Sequence, residues 1–152
     1  MADLEDFGDL LERNHLKKTS TRLTVLGILK SKREAISQPD LEKILGKGVD
    51  RVTLYRTLST FEEKGILHKV LDLNGTANYA FCSSSSHSHK HQDEHVHFNC
   101  TACLTVYCLD ELKIPIVNLP IGYSSQSINL IVYGICNSCN EKATDYLKKK
   151  NN

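Results

Sequence analysis

Two cysteine pairs with the same spacing constrain this chain more than any other feature. Cys100 and Cys103 stand in CTAC, and Cys136 and Cys139 stand in CNSC, which begins 33 residues after Cys103. Two intervening residues let the backbone turn and aim both sulfurs at one point, so two such pairs can complete a tetrahedral Zn²⁺ shell. Redox dithiols or disulfides are the alternative. The acidic start MADLEDFGDLLER is unlike a signal peptide. This difference favours a reducing cytoplasm, where paired cysteines more often form a structural zinc site than a disulfide.

A His-x-His motif directly precedes the first cysteine pair. In an extended strand, residues i and i+2 face the same side, so His95 and His97 can bind one ion together. Four thiolates leave no open position on the first metal, so these histidines predict a second site. Residues 83–94, SSSSHSHKHQDE, form a polar linker of low complexity. We expect its three histidines, His87, His89 and His91, to be solvated and to bind metal only weakly.

The first half of the chain is basic and has the element order of a DNA-binding domain. Residues 13–69 carry 13 Lys and Arg against six Asp and Glu, which indicates a polyanionic partner unless the charges only solvate a surface. Helical periods begin after the N-cap candidates Thr19, Ser37 and Asp50. Two β-like runs then flank Asn74-Gly75, a hairpin signal. Helix, helix, short helix, helix and hairpin is the order of a winged helix-turn-helix.

The last helix before that hairpin is the one that enters the DNA major groove in this arrangement. Its N-terminal end carries polar side chains that can read base edges. These candidates for DNA contact are Arg51, Thr53, Tyr55 and Arg56.

The second half of the sequence predicts a compact α/β domain whose end is held together by zinc. Strand-like runs HVHFNC, LTVYCL and INLIVYGIC surround the cysteine pairs, and NEKATDYLKKK predicts a final helix. Within LTVYCL, Leu104, Val106 and Cys108 share one face, so Cys108 is predicted to be a small buried residue rather than a ligand. We predict an α+β chain with a DNA-binding domain at 1–82, a linker at 83–94 and a zinc-containing domain at 95–152. No apolar run is long enough to span a membrane.

Taken together, these motifs resemble the ferric-uptake-regulator family of metal-sensing repressors. The resemblance covers about residues 10–145 and is carried by TSTRLTVLGIL, VTLYRTLSTFEEKGIL, the His-x-His before CTAC, and YGICNSC. It implies a homodimer that binds operator DNA, a C-terminal dimerisation domain and a regulatory metal between the two domains. It also implies that Tyr55 and Arg56 contact the major groove and that Lys17 lies near the minor groove. A segment with Pro115 and Pro120 replaces a helix that the family usually has.

The ligand positions resemble the zinc-uptake branch of this family. Where iron sensors usually have His and Glu, this chain has Ala35 and Ala80. The resemblance implies a regulatory site formed by His68, Cys82, His95 and His97. Such N₃S ligation suits Zn²⁺ better than Fe²⁺ or Mn²⁺. As alternatives, His68 could contact a DNA phosphate and Cys82 could be a buried thiol.

Other functions compete with a zinc-responsive repressor. An iron- or peroxide-responsive regulator of the same fold is the main one. A metal hydrolase or deaminase is disfavoured, because the sequence has neither His-Glu-x-x-His nor His-x-Glu with Pro-Cys-x-x-Cys. We therefore expect no enzyme activity and no small-molecule substrate. A zinc-storage protein would not need the polar residues of the fourth helix.

Overall fold

The computed structural model describes residues 3–81, 95–126 and 128–150, with the side chains of 3–6 and 145–150 left out. The helices are α1 Asp3–Arg13, α2 Ser20–Ser31, α3 Gln38–Leu45, α4 Arg51–Glu63 and α5 Asn137–Lys150. The strands are β1 Glu34–Ser37, β2 Leu67–Leu71, β3 Ala77–Phe81, β4 His95–Cys100, β5 Val106–Lys113 and β6 Leu130–Gly134. A 3-10 turn at Gly46–Gly48 separates α3 from α4. The α+β fold class and the order of elements in the first half are confirmed.

Helices α2, α3 and α4 begin where the sequence predicts. The Thr19 side chain accepts a hydrogen bond from the Arg22 backbone N–H, and Ser37 and Asp50 cap α3 and α4 in the same way. Each cap satisfies a backbone donor that has no partner within its helix, typically worth about 1 kcal/mol. Helix α4 ends just before Gly65, whose positive φ of 68° suits glycine at a helix C-terminus.

The β2–β3 hairpin is also confirmed. The Asp72 carboxylate accepts hydrogen bonds from the backbone N–H groups of Asn74 and Thr76, at 2.8 and 2.9 Å. Gly75 takes a φ of +77° that glycine adopts without steric cost. These contacts fix the register of β2 on β3, in which His68 pairs with Ala80.

Apolar side chains of the helices and the hairpin form one core. Phe7 of α1, Leu26 of α2, Leu41 of α3, and Leu58 and Phe61 of α4 are 2% exposed or less. The hairpin closes this core through Leu67 and Tyr79. Because one face of α4 is held in the core, its opposite face is left towards solvent.

Strand β1 was not predicted from the sequence and joins the two halves of the sheet. The strand order is β2-β3-β1-β5-β4-β6. Glu34 and Ala35 pair with β5, whereas Ile36 and Ser37 pair with β3. A strand that changes partners in this way makes a corner between two sheets. Whether residues 1–82 and 95–152 act as separate domains stays a prediction.

The second half differs from the prediction at Leu104 and at the start of α5, which begins at Asn137 rather than Asn140. Leu104 lies in a turn, where it has a φ of 61° and its backbone N–H donates to the Cys100 carbonyl. The strand therefore begins only at Val106. After β5, the described residues between Ile114 and Asn129 contain no helix, consistent with Pro115 and Pro120. Across the described part of the chain, no helix has the length and apolar character needed to cross a membrane.

Candidate metal centres and recognition helix

The first candidate centre brings together both cysteine pairs. The sulfurs of Cys100, Cys103, Cys136 and Cys139 all lie within 4.8 Å of one another. Cys100 ends β4 and Cys103 lies in the turn after it, whereas Cys136 lies just after β6 and Cys139 lies in the first turn of α5. Parallel pairing of β4 and β6 ends at Cys100 opposite Gly134, which brings the two turns side by side.

The local backbone favours thiolates at this centre. The Cys103 backbone N–H, helped by that of Cys136, lowers the pKa of Cys100 to about 6. The Cys139 backbone N–H lowers the pKa of Cys136 in the same way. By contrast, a hydrogen bond to the Cys136 sulfur raises the pKa of Cys139 to about 12. Thiolates this close repel one another, and a cation would relieve that repulsion.

The arrangement fits a tetrahedral Zn²⁺ ion. Zn–S bonds of about 2.3 Å at tetrahedral angles place the sulfurs about 3.8 Å apart. The Cys103 and Cys136 sulfurs are 3.9 Å apart. The predicted four-Cys site is therefore present as a group with the dimensions of a zinc site.

The second candidate centre contains three histidines and a cysteine. His68 of β2, His95 and His97 of β4, and Cys108 of β5 place their donor atoms within 4.8 Å of one another. The Nε2 atoms of His68 and His97 are 3.1 Å apart, and the Cys108 sulfur is 3.4 Å from His68 Nε2. His68 thus shares one cluster with His95, which lies 27 residues later in the sequence.

Burial sets the chemistry of this cluster. His68 and His97 are only 6% and 1% exposed, so His68 lies in the interior and the alternative that it contacts a DNA phosphate is wrong. Burial, followed by the charge of His95, lowers the pKa of His68 to about 4. His68 is therefore neutral at pH 7, the form that binds metal. Among the described residues, His95 Nε2 is buried without a hydrogen-bond partner, and Asp110 Oδ1 lies 3.6 Å from it.

These donors also fit a Zn²⁺ ion. Zn–N bonds of about 2.0 Å and Zn–S bonds of about 2.3 Å give donor separations of about 3.3 Å between nitrogens and about 3.5 Å between nitrogen and sulfur. The observed 3.1 and 3.4 Å are close to these separations. Three imidazoles and one thiol form a ligand set typical of zinc.

The sequence anticipated most of this cluster but missed Cys108. His68, His95 and His97 come together as predicted, whereas Cys82 lies outside the described residues and its ligand role stays a prediction. The same holds for the linker histidines, His87, His89 and His91. Cys108 is only half-buried and reaches the cluster because β5 pairs with β4, opposite His97. A signal was available: a strand that reverses direction at CTAC must run back alongside His-x-His.

The cluster requires a strongly bent sheet. In a flat sheet of this strand order, β2 and β4 would be four strand spacings apart, about 19 Å. Nevertheless, His68 and His97 touch. The sheet must fold over at β1, and we call the inner side of this bend the crease. Small and branched apolar side chains line it: Ala35, Val70, Ala80 and Val106.

The crease has a polar contact as well as apolar ones. The side-chain amide of Asn99, on β4, donates to the Leu71 carbonyl at the end of β2, at 3.3 Å. Asn99 is 1% exposed, so the donor of this hydrogen bond is buried. Together with His68 and His97, it joins β2 and β4 across the crease.

The predicted recognition helix α4 presents its polar side to solvent. Tyr55 is 57% exposed, and Arg56 is exposed beside it. Arg51 is exposed and lies 3.4 Å from Glu42. Thr53 donates its hydroxyl to the Asp50 carboxylate, so part of its polarity serves the helix cap. Lys17 is exposed in the segment before α2.

The chain resembles proteins that regulate metal uptake. The family model described as "Ferric uptake regulator family" matches residues 13–119. A ferric uptake regulation protein from Neisseria gonorrhoeae is 30% identical over 149 residues, covering 91% of this chain and 98% of that protein. A corresponding protein from Bordetella parapertussis is 29% identical over 137 residues, covering 85% and 93%.

Solved structures share the fold. A zinc uptake regulator complexed with zinc and DNA has a TM-score of 0.66 at 22% identity, covering 93% of this chain and 95% of that one. The ferric uptake regulator from Pseudomonas aeruginosa with manganese has a TM-score of 0.57 at 23% identity, covering 86% and 98%. The family match and the relative from Neisseria gonorrhoeae together show that this chain belongs to the ferric uptake regulator family of metal-responsive regulators.

Proposed function

We propose that this protein is a zinc-responsive transcriptional repressor that binds operator DNA as a homodimer. The observation that carries the proposal is the convergence of His68, from the winged hairpin, with His95 and His97, from the second half of the chain. A ligand set shared by both halves makes their relative orientation depend on metal. The relative that is complexed with zinc and DNA supports the same reading.

The donor set favours zinc over iron or manganese. The described residues of the second cluster supply imidazoles and a thiol, and the group contains no carboxylate. Fe²⁺ and Mn²⁺ sites in proteins usually include oxygen ligands, whereas Zn²⁺ is bound well by nitrogen and sulfur. Positions 35 and 80, where the resemblance expects His and Glu in iron sensors, hold buried alanines.

The bent sheet explains how binding could set the orientation of α4. His68 lies on β2, close after α4, and His95 and His97 lie on β4. Bound zinc would supply a strong bond to each of these imidazoles. The three histidines would then hold the crease closed, and α4 would keep one angle relative to the second half of the chain. In a dimer, that angle sets whether two α4 helices reach successive major grooves.

The second half offers a surface for a second copy of the chain. Among the described strands, β6 is an edge of the sheet, and its Val132 and Tyr133 are 43% and 54% exposed. Nearby in the sequence, Ile116 and Ile121 are almost fully exposed. An unpaired edge flanked by apolar side chains is a typical site of association. We expect the dimer to form through this side.

The function is tested by measuring operator affinity and dimerisation across a metal series. The protein is purified with its four-Cys zinc retained, and operator DNA is selected from a random pool. We expect Zn²⁺ to raise the affinity at a free concentration at which Fe²⁺ and Mn²⁺ do not. Activation by Fe²⁺ alone would instead support an iron-responsive regulator, and equal binding without metal would contradict a metal-dependent repressor.

Two substitutions separate base reading from phosphate contact. Arg56→Ala should weaken operator binding by roughly 1–3 kcal/mol and blur sequence preference, because arginine can pair bidentately with guanine. Lys17→Ala should weaken binding to all sequences and reduce the salt slope by about one unit. Fluorescence anisotropy over a salt series measures both. Lys142→Ala in α5 is the control, and unchanged affinity in both test variants would argue against these contacts.

Ala80 is not a metal ligand, but we expect zinc binding at the second centre to depend on the small size of its side chain. Ala80→Leu puts extra methylenes into the crease, and such overpacking typically costs about 1–3 kcal/mol. The added bulk should move β2 from β4 and lower zinc affinity at the second centre by at least about 10-fold, the equivalent of 1.4 kcal/mol. Ala77→Leu, on the opposite face of the same strand, is the matched control. Zinc titration in competition with a chelator measures the effect, and equal affinities in both variants would contradict it.

A further inference from the structure

Cys108 lies among the three histidines and is directed there by its strand. Its sulfur is 3.4 Å from His68 Nε2, and its position on β5 is paired with His97 of β4. The next residue inwards on the same face, Val106, is fully buried in the crease. Alternation along β5 therefore turns Cys108 towards the cluster.

The neighbouring residue on β5 faces the other metal centre. Tyr107 hydrogen-bonds with Cys136, and this contact raises the pKa of Tyr107 to about 12. Its backbone pairs with Glu34 of β1, and the Cys108 N–H donates to the Arg33 carbonyl at 3.4 Å. Cys108 is thus held by a strand that is fixed to both the four-Cys group and the bend of the sheet.

We propose that Cys108 is the thiolate ligand that completes the second centre, and that it determines the preference of the site for Zn²⁺. This inference rests on the proposed function and deepens it. On binding, the Cys108 S–H bond breaks, a sulfur–metal bond forms and the proton passes to solvent. The resulting N₃S ligand set has one negative charge and no oxygen donor, which disfavours Fe²⁺ and Mn²⁺.

An oxygen donor is close but stands outside the cluster. Asp110, two residues after Cys108, lies 3.6 Å from His95 Nε2 and is exposed. At 3.6 Å, Asp110 is too far from His95 Nε2 for a hydrogen bond. Asp110 is not among the donors that lie within 4.8 Å of one another, whereas Cys108 is and would supply the anionic ligand.

The test uses cobalt as a spectroscopic probe of sulfur ligation. Co²⁺ is titrated into protein that retains zinc in its four-Cys centre, so the thiolate-to-cobalt charge-transfer band reports only the second centre. The wild type should show the band. Cys108→Ser should lose this band, and its affinity for Co²⁺ should fall more than about 100-fold. This is a larger loss than is typical for removing an outer-shell partner. Cys82→Ser should keep both.

A carboxylate at the same place tests specificity. Cys108→Asp should bind Co²⁺ without the charge-transfer band, and its affinity ratio for Mn²⁺ over Zn²⁺ should rise at least about 10-fold, because a hard oxygen replaces soft sulfur. Alkylation with N-ethylmaleimide, mapped by mass spectrometry, gives an independent readout. Zn²⁺ should protect Cys108 in the wild type. Circular dichroism and one retained zinc per chain show that each variant is folded.

The outcomes separate this inference from the function on which it rests. A band that persists in Cys108→Ser and disappears in Cys82→Ser overturns the assignment of Cys108, while the zinc-responsive function stands. A band that survives both single substitutions overturns it too. If the wild type binds no second ion, the proposed function and this inference both fail.

Discussion

Cys103→Ser is expected to remove the zinc from the four-Cys centre and unfold the second half of the chain. Structural zinc in small modules is worth about 10–16 kcal/mol at neutral pH, similar to the entire stability of a typical domain, about 5–15 kcal/mol. Apart from the cysteines, a hydrogen bond from the Thr101 N–H to the Gly134 carbonyl, at 2.7 Å, joins the two cysteine turns, and Ile135 beside Cys136 is 44% exposed. A serine hydroxyl is a poor zinc ligand, so three thiolates would be left with an incomplete shell.

The measurement is zinc content per chain together with thermal unfolding followed by circular dichroism. Ser138→Ala, between the cysteines of the second pair, is the control, because it changes a residue beside the same four-Cys group without removing a ligand. It should keep its zinc and its unfolding temperature. A Cys103→Ser protein that stays folded and dimeric without zinc would show that the cysteine group is not the structural centre proposed here.

His97→Gln is expected to abolish zinc-dependent DNA binding while leaving the four-Cys zinc in place. The imidazole of His97 is 1% exposed and touches His68 across the crease. Glutamine roughly fills the same volume but is a poor zinc ligand, so the crease should lose its metal contact without a large cavity. Loss of an outer-shell partner already costs about 10–100-fold in metal affinity, and we expect a larger loss here.

The matched control is His89→Ala in the segment between the two halves, where we expect no change in operator affinity. Zinc content per chain should fall from two ions to one in His97→Gln and stay at two in His89→Ala. Operator affinity measured across a zinc series then shows whether the missing ion is the regulatory one. If His97→Gln keeps both its second ion and its zinc response, His97 is not a ligand.

Local features of the fold could be predicted because their causes lie close together in the sequence. A cap such as Ser37 acts on a backbone N–H three residues later, and the Asp72 contacts in the hairpin span at most six residues. The cysteine pairs belong to the same class, since two intervening residues already aim both sulfurs. Alternation likewise put His95 and His97 on one face of β4 before any partner strand was known.

Only the tertiary structure decided which distant segments these local elements contact. Strand β1 has only four residues and gains its hydrogen bonds from β3 and β5, which are far away in the sequence, so its local pattern gave little indication of a strand. The bend at β1 brings His68 onto His97, 29 residues away. Cys108 reads locally as one more small apolar residue on an apolar face. Only the register of β5 on β4 sets it opposite His97, because strand pairing, unlike capping or a cysteine turn, is determined by contacts between distant segments.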